Sequence, residues 1–173
     1  MTDLIPIFSN INEDDETYNV HDNFEDAMRV LAEFPNDLIE VRMGDPETES
    51  VMPRIESDFV DLLIGVAEGN LDQKELAISN KIAATVMLVS GGYPGDYLKH
   101  KTITGTENVR DSYVFHAGTY LDGESVKTSG GRVLAVTSLQ DNMFTALQQA
   151  TADASRIYFD GMYFRKDIGF DLL

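Results

Sequence analysis

The 173-residue chain contains no cysteine. That excludes a disulfide framework and thiolate chemistry, and it fits a reducing, cytoplasmic setting. No apolar run approaches the ~20 residues that a membrane-spanning helix needs. The start, Met1-Thr2-Asp3, turns acidic at once and is unlike a signal peptide, with its positive opening and apolar middle. Basic residues are scarce, with 13 Lys and Arg against 30 Asp and Glu, for a net charge of −17. Such an excess repels nucleic-acid phosphate and anionic lipid, so neither nucleic acid nor membrane is an expected partner. Internal repeats and low-complexity linkers are absent too. What is present is a hydrophobic fraction of 43%, enough for a packed core, on a length that suits one domain or one domain plus a fragment of another.

The charge is unevenly placed. Residues 1–82 hold 20 acids and 5 bases, whereas residues 83–173 hold 10 and 8. The pattern changes near the same point, from mainly helical to mainly strand. The cluster Asn12-Glu13-Asp14-Asp15-Glu16 has little periodicity and reads as a weakly ordered lead. Phe24, Ala27, Met28, Leu31 and Phe34 then recur on one face of a helix, with Asn23 as N-cap and Pro35 as stop. A short strand follows over Asp37–Met43. A second helix is expected over Asp58–Glu68, capped by Ser57, carrying the stripe Phe59, Leu62, Leu63, Val66 and ending at Gly69. Ala83–Ser90 reads as a buried strand, continuous in apolar and β-branched residues. Tyr113–Leu121 and Lys127–Leu139 read as strands joined by a hairpin at Asp122-Gly123. A last helix, Asp141–Ile157, presents Phe144, Leu147, Thr151 and Ala154 to the core, with Met143 beside Phe144.

Four segments carry polar groups that chemistry can use. In Arg42-Met43-Gly44-Asp45-Pro46-Glu47-Thr48-Glu49 a strand end runs into a sharp turn that displays Asp45 and Glu47 beside a guanidinium. An arginine there can hold phosphate, and carboxylates can hold an amine or Mg²⁺; an ordinary surface Arg–Asp contact is the plainer reading. Ser90-Gly91-Gly92-Tyr93-Pro94-Gly95-Asp96-Tyr97 is a glycine-rich loop leaving a strand, without the Lys-Ser/Thr ending of a phosphate-binding loop. Such a loop either lines a pocket or is a tight turn with its tyrosines packed on the core. Arg132, in Gly130-Gly131-Arg132, either binds an anion or pairs with a carboxylate. His116 lacks a clear partner, and His21 and His100 have no companions at metal-ligand spacing, so no zinc site is expected. Arg165-Lys166-Asp167-Ile168-Gly169-Phe170 reads as a docking or turn segment.

Together, in this order, these segments resemble the C-terminal part of phosphoribosylamine–glycine ligase, an ATP-grasp enzyme of purine synthesis. The Phe115-His116-Ala117-Gly118-Thr119 string belongs to the same resemblance. The family carries Glu-x-Asn-x-Arg-(Phe/Met)-Gly-Asp-Pro-Glu-Thr-(Gln/Glu), whose Glu and Asn hold Mg²⁺ against the ATP phosphates. Arg42 to Glu49 matches the tail of that motif, but the metal ligands depart from it. Without a gap, Leu38 takes the Glu position and Glu40 the Asn position; with a two-residue deletion, Glu40 is the Glu and the Asn is missing.

The resemblance covers residue 38 to the end, most specifically 83–173. It implies an α+β protein in three parts: an acidic segment 1–36 with one amphipathic helix, the end of an ATP-grasp lobe at 37–82, and a β-rich, hybrid-motif-like C-terminal domain at 83–173 packed by one long helix. The implied chemistry joins glycine to 5-phosphoribosylamine with ATP and Mg²⁺. In it Arg42 is the catalytic arginine, Glu40 the residual metal ligand, Asp45 and Glu47 position substrate, and Gly91, Gly92, Tyr93 and Arg132 line the substrate pocket. The 37 residues before the resemblance are too few for the lobes that grip the nucleotide, so the chain is expected to be incomplete for catalysis alone. It is then either a non-catalytic binding module or a lobe that completes an active site in another chain, with the missing ligase lobes as partners.

Overall fold

The structure is a computed structural model and describes residues 47–169. The amphipathic segment Phe24–Phe34 and the strand expected over Asp37–Met43 lie outside the described residues, as does Phe170. The chain divides into two compact units, Met1–Ser79 and Asn80–Leu173.

In the first unit, helix α1 (Glu47–Val51) runs into a 3-10 turn at Met52–Arg54, with Pro53 in its first turn. Helix α2 (Phe59–Glu68) follows. Its N-cap is Asp58 rather than Ser57: the Asp58 carboxylate accepts from Val60 N at 2.9 Å and Asp61 N at 3.3 Å. Ser57 instead ties the loop across, donating to Glu75 O and accepting from Ala77 N, both at 2.7 Å. Either side chain suits a cap, and the tertiary partners of Ser57 decide between them. Gly69 closes the helix in the left-handed conformation, as expected. The expected apolar stripe is only partly right. Leu62 and Gly65 are buried, but Leu63 and Val66 are exposed. Gly65 faces inward because the Lys74 stem crosses it where a Cβ would sit, on its way to Asp61 at 2.7 Å.

The second unit is built on an antiparallel four-stranded sheet in the order β2-β5-β1-β6. Its strands are β1 (Ile82–Ser90), β2 (Ser112–His116), β5 (Arg132–Gln140) and β6 (Met162–Tyr163). A separate hairpin pairs β3 (Thr119–Asp122) with β4 (Ser125–Thr128). The two long strands expected from the sequence are therefore four. The first breaks after His116 and the second after Thr128, at glycine positions where two chain segments touch. The hairpin turn falls where expected, with Asp122 opposite Ser125 and Gly123 at φ +61°.

Helix α3 (Met143–Ala154) covers one sheet face, and Asn142 caps it by accepting from Thr145 N at 2.9 Å. Ala84, Val86 and Leu88 of β1 sit opposite Ser138, Val136 and Leu134 of β5. With Ala146, Leu147, Ala150 and Ala154 of α3, and with Ile157 and Phe159, their apolar members form the core. Alanines at three of those helix positions let the backbone approach the sheet closely. Phe144, expected in the core, is exposed, because α3 turns its Ala146, Ala150 and Asp153 face inward instead. Met143 is partly buried against the core.

Candidate functional site

At one end of the sheet, β1 finishes, β5 begins and β2 finishes, so three loops meet there. The β1–β5 register shifts between Leu88 and Val89, where Val89 pairs with Arg132. This bulge turns the end of β1 toward the start of β5. Ser90 N then donates to Gly131 O at 2.8 Å, and Ser90 Oγ donates to Gly130 O at 3.0 Å. Gly91 N reaches Gly161 O at 2.7 Å. From the β2 side, Gly118 N donates to Arg132 O at 2.8 Å, while Ser129 N and Gly130 N donate to Gly118 O at 2.8 and 3.2 Å.

Glycine is required where these backbones cross. A Cβ on Gly118 would collide with Arg132 O and the Gly130 backbone. The Tyr93 ring lies against Gly131 in the space a side chain there would occupy. Tyr93 meets Tyr97 edge-on at 6.1 Å, and Lys99 Nζ stands 5.8 Å from the Tyr97 ring centroid.

The expected pocket residues thus come together within this unit. Gly91, Gly92 and Tyr93 share one end of the sheet with Arg132, although forty residues separate the two runs. All four are exposed. Glu47 opens α1, exposed, in the first unit. Glu40, Arg42 and Asp45 lie outside the described residues. Sequence reading passed over Gly161 and gave Gly118 no role, although both hold the loops together. The Asp160-Gly161 pair is an ordinary turn signal that points to the first, and the Ala117-Gly118 break after the aromatic-rich run Tyr113–His116 points to the second.

The backbone hydrogen bonds of the glycine-rich loop argue against an anion cradle. Gly91 N, Tyr93 N and Gly95 N all donate to backbone carbonyls, of Gly161, Ser90 and Gly92. A phosphate cradle needs such N–H groups free and convergent. His116, on the adjacent edge strand, is exposed, with Nδ1 3.0 Å from Thr119 Oγ1.

A second polar centre lies under the sheet. Asp153 of α3 is wholly buried, yet its carboxyl sits below the ordinary range. Burial alone raises it, but hydrogen bonds from Gln149 (2.9 Å) and the Asp111 N–H (3.3 Å), with the polar groups of Ser112 and the Arg110 backbone nearby, outweigh that effect. Arg156 Nη1 lies 3.3 Å from Oδ1. Asp153 ties α3 to the loop entering β2 and so fixes the edge strand that carries His116. Among the described residues there is no group of three His, Cys, Asp or Glu side chains that could hold a metal, and no helix long and apolar enough to cross a membrane.

A family profile described as "Phosphoribosylglycinamide synthetase, C domain" matches residues 83–171. The chain belongs to that family. Phosphoribosylamine–glycine ligase of Vibrio cholerae is 44% identical over 131 residues, a match that takes in 75% of this chain and 30% of the relative. A bifunctional purine biosynthetic protein of Dictyostelium discoideum is 41% identical over 132 residues, covering 74% of this chain and 16% of that protein. The crystal structure of phosphoribosylamine–glycine ligase from Thermotoga maritima superposes with a TM-score of 0.64 at 29% identity, over 74% of this chain and 32% of that one. The chain therefore spans about a third or less of the relatives it matches, and corresponds to their C-terminal part.

Proposed function

We propose that this chain supplies the C-terminal portion of a phosphoribosylamine–glycine ligase, the enzyme that joins glycine to 5-phosphoribosylamine with ATP in purine biosynthesis. Residues 37–82 then form the end of an ATP-grasp lobe, and residues 83–173 the hybrid-motif-like domain that closes over the active site. The observation that carries this reading is the meeting of Gly91-Gly92-Tyr93 with Gly130-Gly131-Arg132 at one end of the sheet, within the span that matches the family's C domain. The segments of the resemblance that are distant in sequence form one wall.

In this reading each residue has a modest task. Tyr93, fixed against Gly131, and Arg132 beside it present an aromatic face and a cation to a substrate carrying carboxylate or phosphate. Gly91 and Gly92 keep the wall low enough for close approach. Glu47 and Asp45 position the amine partner, and Arg42 offsets negative charge on the group being transferred. Mg²⁺, when bound, supplies further charge neutralisation at the phosphates. Glu40, which falls at the Glu or the Asn position of the family's motif, is the carboxylate assigned to it.

The family's reaction yields an acyl phosphate on glycine that the phosphoribosylamine nitrogen attacks. With only about a third of a ligase in this chain, we assign it the part of a complementing lobe, because Arg42 and Gly44-Asp45-Pro46-Glu47 are kept. A non-catalytic module is the second reading, favoured by the altered Glu-x-Asn pair. The test is glycine- and phosphoribosylamine-dependent ADP release by the chain alone and with the N-terminal lobes of a relative added. The expected result is turnover only in the mixture, abolished by Arg42→Ala. Silence of the mixture from a folded sample would leave the module reading, and turnover by the chain alone would require a nucleotide site within these 173 residues.

A further inference from the structure

The sequence Asp-Gly occurs at two places in the chain, Asp122-Gly123 and Asp160-Gly161. A glycine after aspartate has no Cβ to shield its nitrogen, which can therefore reach the aspartate side chain. The nitrogen attacks Cγ, a C–N bond forms, and the carboxyl hydroxyl leaves with the amide proton as water. The product is a five-membered imide. Water then opens that ring at one of its two carbonyls. Opening at Cγ restores aspartate, and opening at the α-carbonyl leaves isoaspartate, with the chain routed through Cβ and Cγ. Water is lost once and gained once, so no further reactant is needed.

The two carboxylates are held alike. Lys127 Nζ stands 2.6 Å from Asp122 Oδ2, and Lys101 Nζ stands 2.6 Å from Asp160 Oδ2. Both aspartate side chains are more than half exposed, at 55% and 68%. The backbone around them is what differs.

The attack needs the glycine nitrogen behind Cγ. A paired strand end and a closed turn both withhold that geometry, so each pair reacts only when its segment opens. Asp160-Gly161 is the middle of a turn closed by Met162 N, which donates to Phe159 O at 3.0 Å. Phe159 before it is wholly buried, and Met162 after it packs against the core and pairs with Ser90. Gly161 O also accepts from Gly91 N at 2.7 Å. That turn opens only if Phe159 and β6 leave their places.

Asp122-Gly123 lies at the tip of the β3–β4 hairpin, a two-stranded sheet separate from the main one. The ties of that hairpin to the rest of the unit fall short of the tip. His100 Nδ1 lies 2.9 Å from the Tyr120 hydroxyl, Ile103 N donates to Val126 O at 2.8 Å, and Thr102 bridges to Lys127. Beyond them Leu121 to Ser125 are all exposed, and nothing lies within 4 Å of where a Gly123 side chain would sit. A hairpin end of this kind frays at little cost.

We propose that Asp122 is a site of spontaneous isomerisation to isoaspartate, and that the fold protects Asp160 from the same reaction. The inference goes beyond the ligase reading, since it uses neither substrate nor nucleotide. The backbone atom gained at Asp122 breaks its register with Ser125 and moves the carboxylate away from Lys127.

The test holds the full chain for weeks in warm neutral buffer and then digests it with trypsin. The two pairs fall on separate peptides, 111–127 and 157–165, and isoaspartate in each is counted by electron-transfer mass spectrometry. The expected yield at Asp122 exceeds that at Asp160 roughly tenfold or more. In a parallel sample unfolded in urea the two yields are expected to agree within about threefold, because only local sequence then separates them. A native ratio near one, or one favouring Asp160, would overturn the proposal. So would isoaspartate that forms at both pairs in urea and at neither in the folded chain. An excess at Asp122 that persists unchanged in urea would also overturn it, placing the preference in the flanking residues. Asp122→Glu, whose longer side chain cannot close the five-membered ring, is expected to remove the product from 111–127. Survival of the product there would assign it to Asp111 and refute the site.

Discussion

Replacing Asp153 is the perturbation whose outcome follows most directly from the structure. Its carboxylate is wholly buried and takes hydrogen bonds at Oδ2 from Gln149 Nε2 and from Asp111 N, with Arg156 alongside Oδ1. Asp153→Ala removes every one of those acceptors and keeps the donors. Orphaning a buried donor costs about 1–3 kcal/mol, and breaking a buried ionic pair by removing one partner costs about 3–5. The Asp111 N–H cannot turn away to solvent without moving the start of β2. Arg156 is 43% accessible and can, so its loss adds little. The expected penalty is about 4 kcal/mol, or a fall in Tm of roughly 15–30 °C for a unit of this size.

Asp153→Asn keeps the shape but turns one acceptor into a donor facing other donors, and is expected to cost about 2 kcal/mol. The folded carboxyl lies below its ordinary value, so its contribution is fully present above the ordinary carboxylate range. It is lost as pH falls through the depressed folded value. The stability gap between wild type and Asp153→Asn should be flat from about pH 5 to 8 and narrow below about pH 4. Thermal unfolding followed by circular dichroism across that range measures both quantities. A cost below about 1 kcal/mol for Asp153→Ala, or a gap that widens with acid, would refute the account.

Gly131→Ala should cost about 1–3 kcal/mol by driving its methyl group into the Tyr93 ring, and most of that should vanish in a Tyr93→Ala background. Strictly additive penalties in that double-mutant cycle, read by denaturant unfolding, would mean the ring and the glycine do not touch. Asn142→Ala should cost about 1 kcal/mol through the lost cap on Thr145 N, visible as a lower denaturation midpoint with unchanged slope. An unshifted midpoint would remove that cap from the account.

Local signals placed most elements of the second unit. The β-branched run through Thr85–Val89, the Asp122-Gly123 turn and the apolar spacing of Asp141–Ile157 each sit within a few residues of the observed strand, hairpin and helix. The failures share a cause. Ser57 and Asp58 are equally good caps on paper, and only the reach of Ser57 to Glu75 and Ala77 leaves the task to Asp58. Periodicity put Phe144 and Leu63 inside because it counts apolar residues and cannot see which stripe the neighbour occupies. The expected strands broke at Gly118 and Gly130 because a second backbone crosses there, which no window along the chain can detect.

The sequence alone determined the family, through short turn strings whose residue types are dictated by backbone conformation and so persist as local text. It also determined the absence of thiol chemistry and the acidic surface, since both are sums over composition. Tertiary structure alone decided that Tyr93 rests on Gly131, thirty-eight residues away, and that Asp153 lies buried among donors from α3 and from the loop that enters β2. It likewise decided that α2 keeps an apolar face outward. Those facts depend on distances between residues remote in the chain, and a distance of that kind is a property of the packed core, not of any stretch of sequence.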